Sequence, residues 1–306
     1  MARSRTAAAL DVIVPLPPAN AVAFVDAQHG WVGGQGGLLG TSDGRTFRVE
    51  VRSPIVGISA LNRTHAWALT GTGFVLRTAD GHHWSTLGAP HLFRIQFVDA
   101  RIGFGMTRDG VLVRSDDSGR TWQQARAPGL VQAECFSTRT DGWLARDGTV
   151  WTTHDGGAGW APVRLRRGQQ EIPNVECGGR DAWILFREGA AAGTEGYHVF
   201  RSLDGAAWRP VYASPFQRAL PSISNYSGPF DVLGNGRAVF TGSCAPCADS
   251  GGTATLVSGA ARATWSGSAP TAISFVDARH GWIVSAGRLR ETSDGGRHWQ
   301  VRVRAP

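Results

Sequence analysis

The sequence predicts an all-β fold in which one unit of four short strands is repeated along the chain. Three observations favour this fold. An eight-residue motif recurs along the 306 residues, and a second motif precedes each copy. No segment sustains the 3.6-residue periodicity of a helix. The high content of glycine (41) and tryptophan (12) also suits short strands joined by tight turns.

The first motif, called the octet below, is clearest at residues 292–299, which read TSDGGRHW. Its first four aspartates are spaced by 37, 37 and 38 residues. A sixth copy has Ala260 in place of the aspartate. Such a period indicates a repeat architecture. The octet aspartates are Asp43, Asp80, Asp117, Asp155, Asp204 and Asp294.

The second motif, the FVDA motif, reads FVDAQHGW at residues 24–31 and FVDARHGW at 275–282. FVDARIGF at residues 97–104 is a third near copy, and looser versions precede the other octets, which gives seven units. In each unit, strand one ends at the FVDA turn and strand two starts at the Gly-Trp pair. Strand three runs into the octet and strand four leaves from its tryptophan. Four-stranded antiparallel units around a ring predict a seven-bladed β-propeller. The expected blades cover residues 20–53, 54–90, 91–129, 130–170, 171–221, 222–268 and 269–306, after an N-terminal tail or signal remnant at 1–19.

The octet resembles the Asp-box, or BNR, repeat of sialidase-like propellers. The octet together with the FVDA motif resembles the photosystem II stability/assembly factor family and its bacterial relatives. The resemblance covers about residues 20–303 and implies a propeller whose blades carry Asp-box turns. Asp boxes occur in sialidases, other glycosidases, receptors and assembly factors, so the resemblance implies a fold and no single function.

Each part of the octet has a role in folding. The aspartate can accept hydrogen bonds from backbone N–H groups two or three residues later. Gly119, Gly157 and Gly296 can adopt positive φ without steric cost, and the tryptophan can pack against the next blade. The octet occurs at least six times, whereas a catalytic group is needed only once. One carboxylate in each turn is also too few ligands for a calcium ion. We therefore expect neither a metal nor another cofactor.

The net charge and the N-terminal sequence exclude few classes of protein. The net charge is +7, but all 31 basic residues are arginine, which indicates a coding bias. Because no basic run with interleaved aromatics is present, no nucleic acid partner is expected. No stretch approaches the roughly 20 apolar residues that span a membrane. Residues 1–18 resemble either a poor signal peptide or an ordinary terminus. We expect a monomer.

A binding surface is expected where the repeat is interrupted, because loops on a rigid scaffold carry function. The connections and hairpins of the fifth and sixth blades are expanded and should project from one face. Arg and Tyr are common interface anchors, and all three tyrosines fall there. Longer solvated loops without a ligand are the alternative. The candidate binding residues are Arg164, Arg166, Arg167, Glu171, Arg187, Glu188, Glu195, Tyr197, His198, Tyr212, Arg218 and Tyr226.

The four cysteines permit two disulfides. Cys244 and Cys247, in a CAPC sequence, favour a disulfide that closes a glycine-rich hairpin over a redox pair or half a zinc site. Cys135 and Cys177 lie in the first strands of neighbouring blades and could either bridge or remain buried thiols. Two disulfides would indicate an oxidising compartment. An extracytoplasmic or secreted location is therefore expected, with a cytoplasmic one as the alternative.

Two functions are consistent with the sequence. The first is a non-catalytic binding or assembly scaffold with a protein or glycan ligand. The alternative is a glycoside hydrolase of the sialidase-like Asp-box group. That group is expected to carry a Phe-Arg-Ile-Pro motif, whereas residues 93–96 read FRIQ. Glycosidases need two facing carboxylates, and no catalytic residue is assigned. The scaffold is the favoured reading.

Overall fold

The computed structural model describes residues 19–88, 90–165, 172–217, 219–243, 252–257, 262–265 and 269–303. Within these ranges the strands form four-stranded antiparallel sheets, and each sheet is hydrogen-bonded in chain order. No helix in these ranges has the length and apolar character needed to cross a membrane. The chain is therefore an all-β protein, as the sequence predicts.

The N-terminal half of the chain forms the following sheets. The first contains β1 (Ala19–Phe24), β2 (Gly30–Gly34), β3 (Gly37–Thr41) and β4 (Arg48–Val51). The second contains β5 (Ile55–Ala60), β6 (Ala66–Thr70), β7 (Val75–Thr78) and β8 (Trp84–Leu87). The third contains β9 (Leu92–Phe97), β10 (Gly103–Thr107), β11 (Leu112–Ser115) and β12 (Gln123–Gln124). The fourth contains β13 (Ala133–Phe136), β14 (Gly142–Arg146), β15 (Thr149–Thr153) and β16 (Ala161–Arg164).

The remaining strands follow the same plan. The fifth sheet contains β17 (Ile172–Gly178), β18 (Asp181–Ala191), β19 (Thr194–Ser202) and β20 (Trp208–Ala213). The next contains β21 (Tyr226–Gly234), β22 (Arg237–Ser243), β23 (Gly252–Val257) and β24 (Arg262–Trp265). The last contains β25 (Pro270–Phe275), β26 (Gly281–Ser285), β27 (Arg288–Thr292) and β28 (Gln300–Val303). Only the backbone of β23 and β24 is described, whereas the other sheets have described side chains in all four strands.

The first strands of the sheets surround a central axis. β1 contacts β5 on one side and β25 on the other, so the first and last sheets are neighbours. β13, β17, β21 and β25 contact one another in the same succession. The Gln96 side chain links the third and fourth sheets, since its Oε1 accepts a hydrogen bond from the Phe136 N–H at 2.8 Å. The sheets are thus the blades of a β-propeller, and each consists of one continuous stretch of chain.

The FVDA and Gly-Trp motifs form an aromatic joint between blades. Phe24 on β1 pairs with Gly30 on β2, and a Cβ at Gly30 would lie 2.4 Å from the phenyl ring. Only glycine leaves room for the ring to lie flat over the strand. The Phe24 ring then stacks on Trp282 of the last blade, with centroids 3.7 Å apart and planes at 3°. The same stack joins Phe97 to Trp67 at 3.7 Å and Phe136 to Phe104 at 3.5 Å.

A polar clasp lies beside this joint. In each blade, one residue of the first strand pairs with the position that the tryptophan of the Gly-Trp motif occupies. In several blades the side chain of this residue accepts a hydrogen bond from a backbone N–H of the next blade. Besides Gln96, three residues form such clasps: Ser59 Oγ accepts from Phe97 N at 2.8 Å, Asp231 Oδ2 accepts from Phe275 N at 2.6 Å, and Ser274 Oγ accepts from Phe24 N at 3.0 Å. These bonds join inner strands that share no ladder, so they supply directional contacts between blades.

A disulfide takes the place of the clasp between the fourth and fifth blades. Cys135 lies opposite Trp143, at the clasp position, and Cys177 lies opposite Ala182, at the aromatic position of the next blade. Their sulfurs are bonded at 2.03 Å, and the two Cα atoms are 5.9 Å apart. The sequence leaves open either a disulfide or two buried thiols at these positions, and the structure contains the disulfide. Cys244 and Cys247 lie outside the described residues.

In each octet that retains its aspartate, the carboxylate accepts hydrogen bonds from the backbone of its own turn. Asp294 Oδ1 accepts from His298 N at 2.9 Å, and Thr292 Oγ1 accepts from Gly296 N at 2.8 Å. Gly119, Gly157 and Gly296 have φ of 87°, 90° and 88°, as predicted. The other aspartates accept from backbone N–H groups at Thr46, His83, Thr121, Gly159 and Ala207. Because the N–H of Thr46 favours the ionised form, the pKa of Asp43 falls to about 2.

The FVDA aspartates make a second set of turns that the sequence analysis did not assign. Asp26 Oδ1 accepts from Gln28 N at 2.8 Å and from His29 N at 2.9 Å. Its other oxygen accepts from Arg63 Nε in the next blade at 2.7 Å. Asp99 and Asp277 make the same backbone contacts. The FVDA aspartate therefore closes a turn, and in Asp26 it also links two blades.

Candidate functional site

The two faces of the ring differ in chemistry. The octets and FVDA turns lie on one face, called the octet face. The hairpins between strands two and three and the connections between blades lie on the other, called the hairpin face. Eight large apolar side chains of the described residues are exposed, and six of them lie on or next to the hairpin face. These six are Val56, Phe74, Phe93, Leu130, Ile172 and Phe216. Clustered apolar exposure marks interaction surfaces.

A groove collects three of these side chains. Phe93, Leu130 and Ile172 are 56%, 53% and 66% exposed and line a cavity of about 540 Å³. The β10–β11 hairpin of the third blade (107–110) and the β14–β15 hairpin of the fourth (146–147) form its sides. The volume lies in the range of ligand-binding clefts. We call this cavity the hairpin-face groove.

The walls of the hairpin-face groove are held by hydrogen bonds. Val131 N donates to Gly110 O at 2.7 Å and joins the third-blade hairpin to the connection that carries Leu130. Asp147 N donates to Gln132 Oε1 at 3.0 Å, and Arg146 Nε donates to Asp147 at 2.9 Å. A ligand would meet walls that are already ordered, which lowers the entropic cost of binding.

Phe93 also borders a second cavity of about 360 Å³ at the centre of the ring. The first strands of six blades line this central cavity, mostly with apolar side chains. They include Ala21, Val22, Phe93, Arg94, Asn174 and Glu176. The hairpin-face groove therefore opens beside the mouth of the channel that the propeller encloses.

One arginine gathers two carboxylates at this central cavity. Arg94 Nη2 donates to Glu176 at 3.2 Å, and Arg94 Nε lies 3.6 Å from Glu134. Burial raises the pKa of both acids, to about 7 for Glu134, which is fully buried. Glu134 therefore has no open path to a bound substrate. Among the described residues, no group of three or more His, Cys, Asp and Glu side chains is arranged to hold a metal ion.

Asp231 gives a prediction about pH. Burial, with the nearby charge of Glu176, raises its pKa from 3.8 to about 7. The folded state therefore binds this proton more tightly than the unfolded state, and the free energy of unfolding falls as pH rises from about 4 to 7. Asp231→Asn keeps an acceptor for Phe275 N and removes the charge. We expect it to raise the melting temperature at pH 8 and to change it little at pH 4.

Differential scanning calorimetry at the two pH values measures this effect. The matched control is Asp109→Asn, since Asp109 is an exposed aspartate on the hairpin face. The control is expected to shift the melting temperature equally at both pH values. A pH-independent effect of Asp231→Asn would contradict the assigned burial of the charge.

The residues that the sequence singled out in the fifth blade lie side by side, and most of them make contacts within the chain. Tyr197 is fully buried, and its hydroxyl accepts from Ile223 N at 2.9 Å. Glu195 Oε2 accepts from Ser227 N at 2.9 Å, and Arg187 Nε donates to Ser227 Oγ at 3.0 Å. These contacts fasten Ile223 of the connection between the fifth and sixth blades, and Ser227 at the start of β21, to β18 and β19.

The other candidate binding residues differ in their solvent exposure. His198 is buried, and its Nε2 is hydrogen-bonded to Gln217 Oε1 at 2.7 Å. Glu188 faces the other nitrogen of the same ring at 3.4 Å. Tyr212 and Tyr226 are half-buried, and Arg164 is exposed at the end of β16. Arg166, Arg167, Glu171 and Arg218 lie outside the described residues.

The expanded hairpin of the fifth blade consists of longer strands. β18 continues to Ala191 and β19 starts at Thr194. The turn between them has positive φ at Ala192 (50°) and Gly193 (76°). A two-residue turn with this backbone matches the twist of paired strands. The expansion therefore extends the blade and adds little free loop.

The apolar residues of the hairpin-face groove were not among the candidates predicted from the sequence. One signal was present at Leu92 and Phe93, which are adjacent apolar residues at the start of a strand. Because neighbouring strand residues point to opposite faces, only one of the two can enter the same core. Leu92 is buried and Phe93 is exposed. Leu130 lies in a connection and Ile172 is the first residue of β17, and at neither position does a periodic pattern indicate exposure.

The fold and the groove define an all-β propeller with an apolar hairpin face. No protein-family model matches the sequence, and no curated protein matches it. Solved structures are similar. YCF48 bound to D1 peptide is 18% identical with a TM-score of 0.60, over 91% of this chain and 95% of that one. YCF48 from Cyanidioschyzon merolae is 15% identical with a TM-score of 0.60, over 92% and 98%.

Glycoside hydrolases share the fold as well. The GH74 enzyme of Niastella koreensis is 12% identical with a TM-score of 0.72, over 96% of this chain and 55% of that one. The chain thus spans about half the length of that enzyme. All of these sequence identities are low, so the similarity shows a shared fold. The function must be inferred from the residues of the site.

Proposed function

We propose that the chain is a non-catalytic binding scaffold that holds an extended segment of a protein partner in the hairpin-face groove. The observation that carries the proposal is the grouping of Phe93, Leu130 and Ile172, each more than half exposed, between ordered walls. YCF48 bound to D1 peptide has the same fold and binds a peptide, which supports a polypeptide ligand.

The apolar side chains of the groove supply part of the free energy of binding. Full burial of an apolar side chain of this size contributes about 1.5–3 kcal/mol. Phe93, Leu130 and Ile172 are 53–66% exposed, so burying what remains exposed gives about 3–5 kcal/mol for the three together, before ordering costs are subtracted. Further contacts along the groove walls must supply the rest of the roughly 8 kcal/mol that micromolar affinity requires.

The candidate binding residues predicted from the sequence belong to the same proposal. Arg164 ends β16 and Ile172 begins β17, so Arg166, Arg167 and Glu171 fall between them in the sequence. We propose that Arg164, Arg166, Arg167, Glu171 and Arg218 contribute to partner binding. Tyr197 and His198 hold the neighbouring connection through Ile223 and Gln217, and Arg187 and Glu195 bind Ser227 at the start of β21. Tyr212 and Tyr226 stay proposed binding residues.

The proposal also covers the number of blades, the type of octet turn, the oligomeric state and the location of the protein. We propose a monomeric ring of seven blades with the boundaries given above and octets of the Asp-box type. The Cys135–Cys177 disulfide favours an extracytoplasmic or secreted protein, because such bonds persist in oxidising compartments. No nucleic acid ligand is proposed.

A glycoside hydrolase is the alternative function. The GH74 likeness and the acids gathered by Arg94 favour it, whereas the complete burial of Glu134 disfavours it. Sugar release from xyloglucan or from aryl glycosides, with loss of that activity in Glu176→Gln, would establish the hydrolase and refute the scaffold. We expect no release.

Selection from a phage-displayed random peptide library tests the scaffold. We expect peptides with two or more apolar residues to be enriched. Their affinity should fall at least about tenfold for Phe93→Ser and for Ile172→Ser, because the loss of about 1.4 kcal/mol corresponds to tenfold. The matched control is Leu203→Ser, since Leu203 is 49% exposed and lies in the octet at residues 202–208. Equal affinity for wild type and both groove variants would refute the proposal.

A further inference from the structure

Two strands that carry walls of the hairpin-face groove are joined covalently below it. We propose that the Cys135–Cys177 disulfide is a redox gate for this groove. The groove holds its peptide ligand while the bond is closed and releases it when a dithiol reductant opens the bond. The gate rests on the proposed function, because it regulates binding at the same groove.

Each end of the disulfide lies on a strand that leads into the groove. Gln132 lines the groove, and β13, which carries Cys135, begins at the next residue. Ile172 and Pro173 line the groove as well and are the first residues of β17, which carries Cys177. A strand rises about 3.3 Å per residue, so the bond lies about 10 Å along β13 from Gln132 and about 13 Å along β17 from Pro173. The disulfide therefore fixes the separation of these two walls.

The disulfide occupies both of the positions that fasten neighbouring joints. Cys135 stands at the position of Gln96, whose side chain accepts a hydrogen bond from the next blade. Cys177 stands at the position of Phe97, which stacks on Trp67, and it supplies no ring there. Opening the bond leaves two thiols in these places, and thiols are weak hydrogen-bonding groups. The joint between the fourth and fifth blades therefore loosens when the disulfide is reduced.

Two buried acids push this joint apart once the bond is open. A glutamate precedes each cysteine, and both glutamates face one guanidinium. Glu134 Oε1 lies 3.6 Å from Arg94 Nε, and Glu176 Oε1 lies 3.2 Å from Arg94 Nη2. Burial raises the pKa of Glu134 to about 7, so above this pH one arginine balances two carboxylates on adjacent strands. The closed disulfide holds β13 and β17 together against this repulsion.

The opening reaction is a thiol–disulfide exchange with a dithiol. Cys177 is half-buried and Cys135 is buried, so the first thiolate of the reductant attacks the Cys177 sulfur. Cys135 leaves as a thiolate and takes up a proton. The second thiol of the reductant then attacks its own sulfur in the mixed disulfide and releases Cys177. The protein gains two electrons and two protons, and the reductant becomes a cyclic disulfide.

Peptide affinity with the bond closed and open tests the gate. In a Cys244→Ser/Cys247→Ser chain, Cys135 and Cys177 are the only cysteines that remain. For a peptide selected from the library, we expect the affinity to fall at least about tenfold after reduction with dithiothreitol, because the walls are no longer preorganised. Reoxidation should restore the affinity. The same chain with Cys135→Ala/Cys177→Ala serves as the control, since it should bind weakly with or without dithiothreitol.

A distance measurement tests the gate without a ligand. Nitroxide labels on ketone-bearing residues in place of Arg164 and Gly189 would span the joint between the fourth and fifth blades. Both positions are exposed, and a Cβ at Gly189 meets nothing within 4 Å. Electron–electron resonance should give a longer distance in Cys135→Ala/Cys177→Ala than in the closed chain. Labels at the exposed Asp109 and at Arg164 span the third and fourth blades, where the Gln96 clasp remains, and should give the same distance in both chains.

The outcomes separate the gate from the proposed function. An unchanged Arg164–Gly189 distance, or a peptide affinity that reduction does not alter, would overturn the gate. Equal lengthening across both joints would also overturn it, because that result indicates general loosening of the propeller. If no peptide binds in either state, the binding scaffold is refuted, and a lengthened distance still supports control of this joint by the disulfide.

Discussion

Replacement of Trp282 by alanine is expected to lower the free energy of unfolding by about 3–5 kcal/mol. Trp282 is fully buried and stacks on Phe24, so it joins the last blade to the first. No strand is shared between these blades, and the remaining contacts there include the Ser274 clasp and the packing of β1 against β25 and β26. Loss of the ring leaves a cavity at the point where the propeller closes. Urea denaturation measures the stability.

The matched control is Trp67→Ala. Trp67 is also fully buried and stacks on Phe97 at the same 3.7 Å, but its joint lies between the second and third blades. Both variants should lose similar stability. Only Trp282→Ala should accelerate hydrogen exchange in both β1 and β25, because chain connectivity does not hold those strands together. Equal exchange in the two variants would contradict closure of the ring at this joint.

Removal of the Cys135–Cys177 disulfide is expected to cost about 4 kcal/mol, the loop-closure value for a separation of 42 residues. Cys135→Ala/Cys177→Ala removes the link and leaves Cys244 and Cys247 in place. Urea denaturation of the non-reduced protein gives the difference. Wild-type stability in the double-alanine variant would show that the bridge does not fasten these blades.

The clasp adds a second arm to this experiment. Serine at residue 135 would occupy the same position as Ser59, whose hydroxyl accepts from the next blade. We therefore expect Cys135→Ser/Cys177→Ala to be about 1 kcal/mol more stable than the double-alanine variant, the usual net value of one hydrogen bond. No difference between the two would indicate that the disulfide is unrelated to the clasp series.

The repeat made the propeller predictable from sequence. The octet and the FVDA motif each combine a turn residue, a glycine and an aromatic residue at fixed spacing, and both turn and packing are local. The clasp was not predictable, because it uses serine, glutamine, aspartate and a disulfide at one position. Only the register of β9 against β10 places Gln96 opposite Phe104 and thus identifies it with Ser59 opposite Trp67.

The candidate site was less predictable than the fold. Sequence irregularity pointed to the fifth and sixth blades, where Tyr197 and His198 are used to hold a connection. The groove lies mainly one to two blades earlier, between the hairpins of the third and fourth blades and the connection that carries Leu130, and only Ile172 and Pro173 at the start of β17 adjoin an expanded connection. Arg94, Glu134 and Glu176 are separated by 40 and 42 residues, and only ring geometry brings them together.

Co-purification from the source organism would show whether the hairpin-face groove retains a partner. Wild type, the double variant Phe93→Ser/Ile172→Ser and the control Leu203→Ser would be captured under identical conditions. We expect at least one protein that is retained by wild type and by the control and lost from the groove variant. Identical sets of retained proteins for all three chains would contradict a scaffold that binds its partner through the hairpin-face groove.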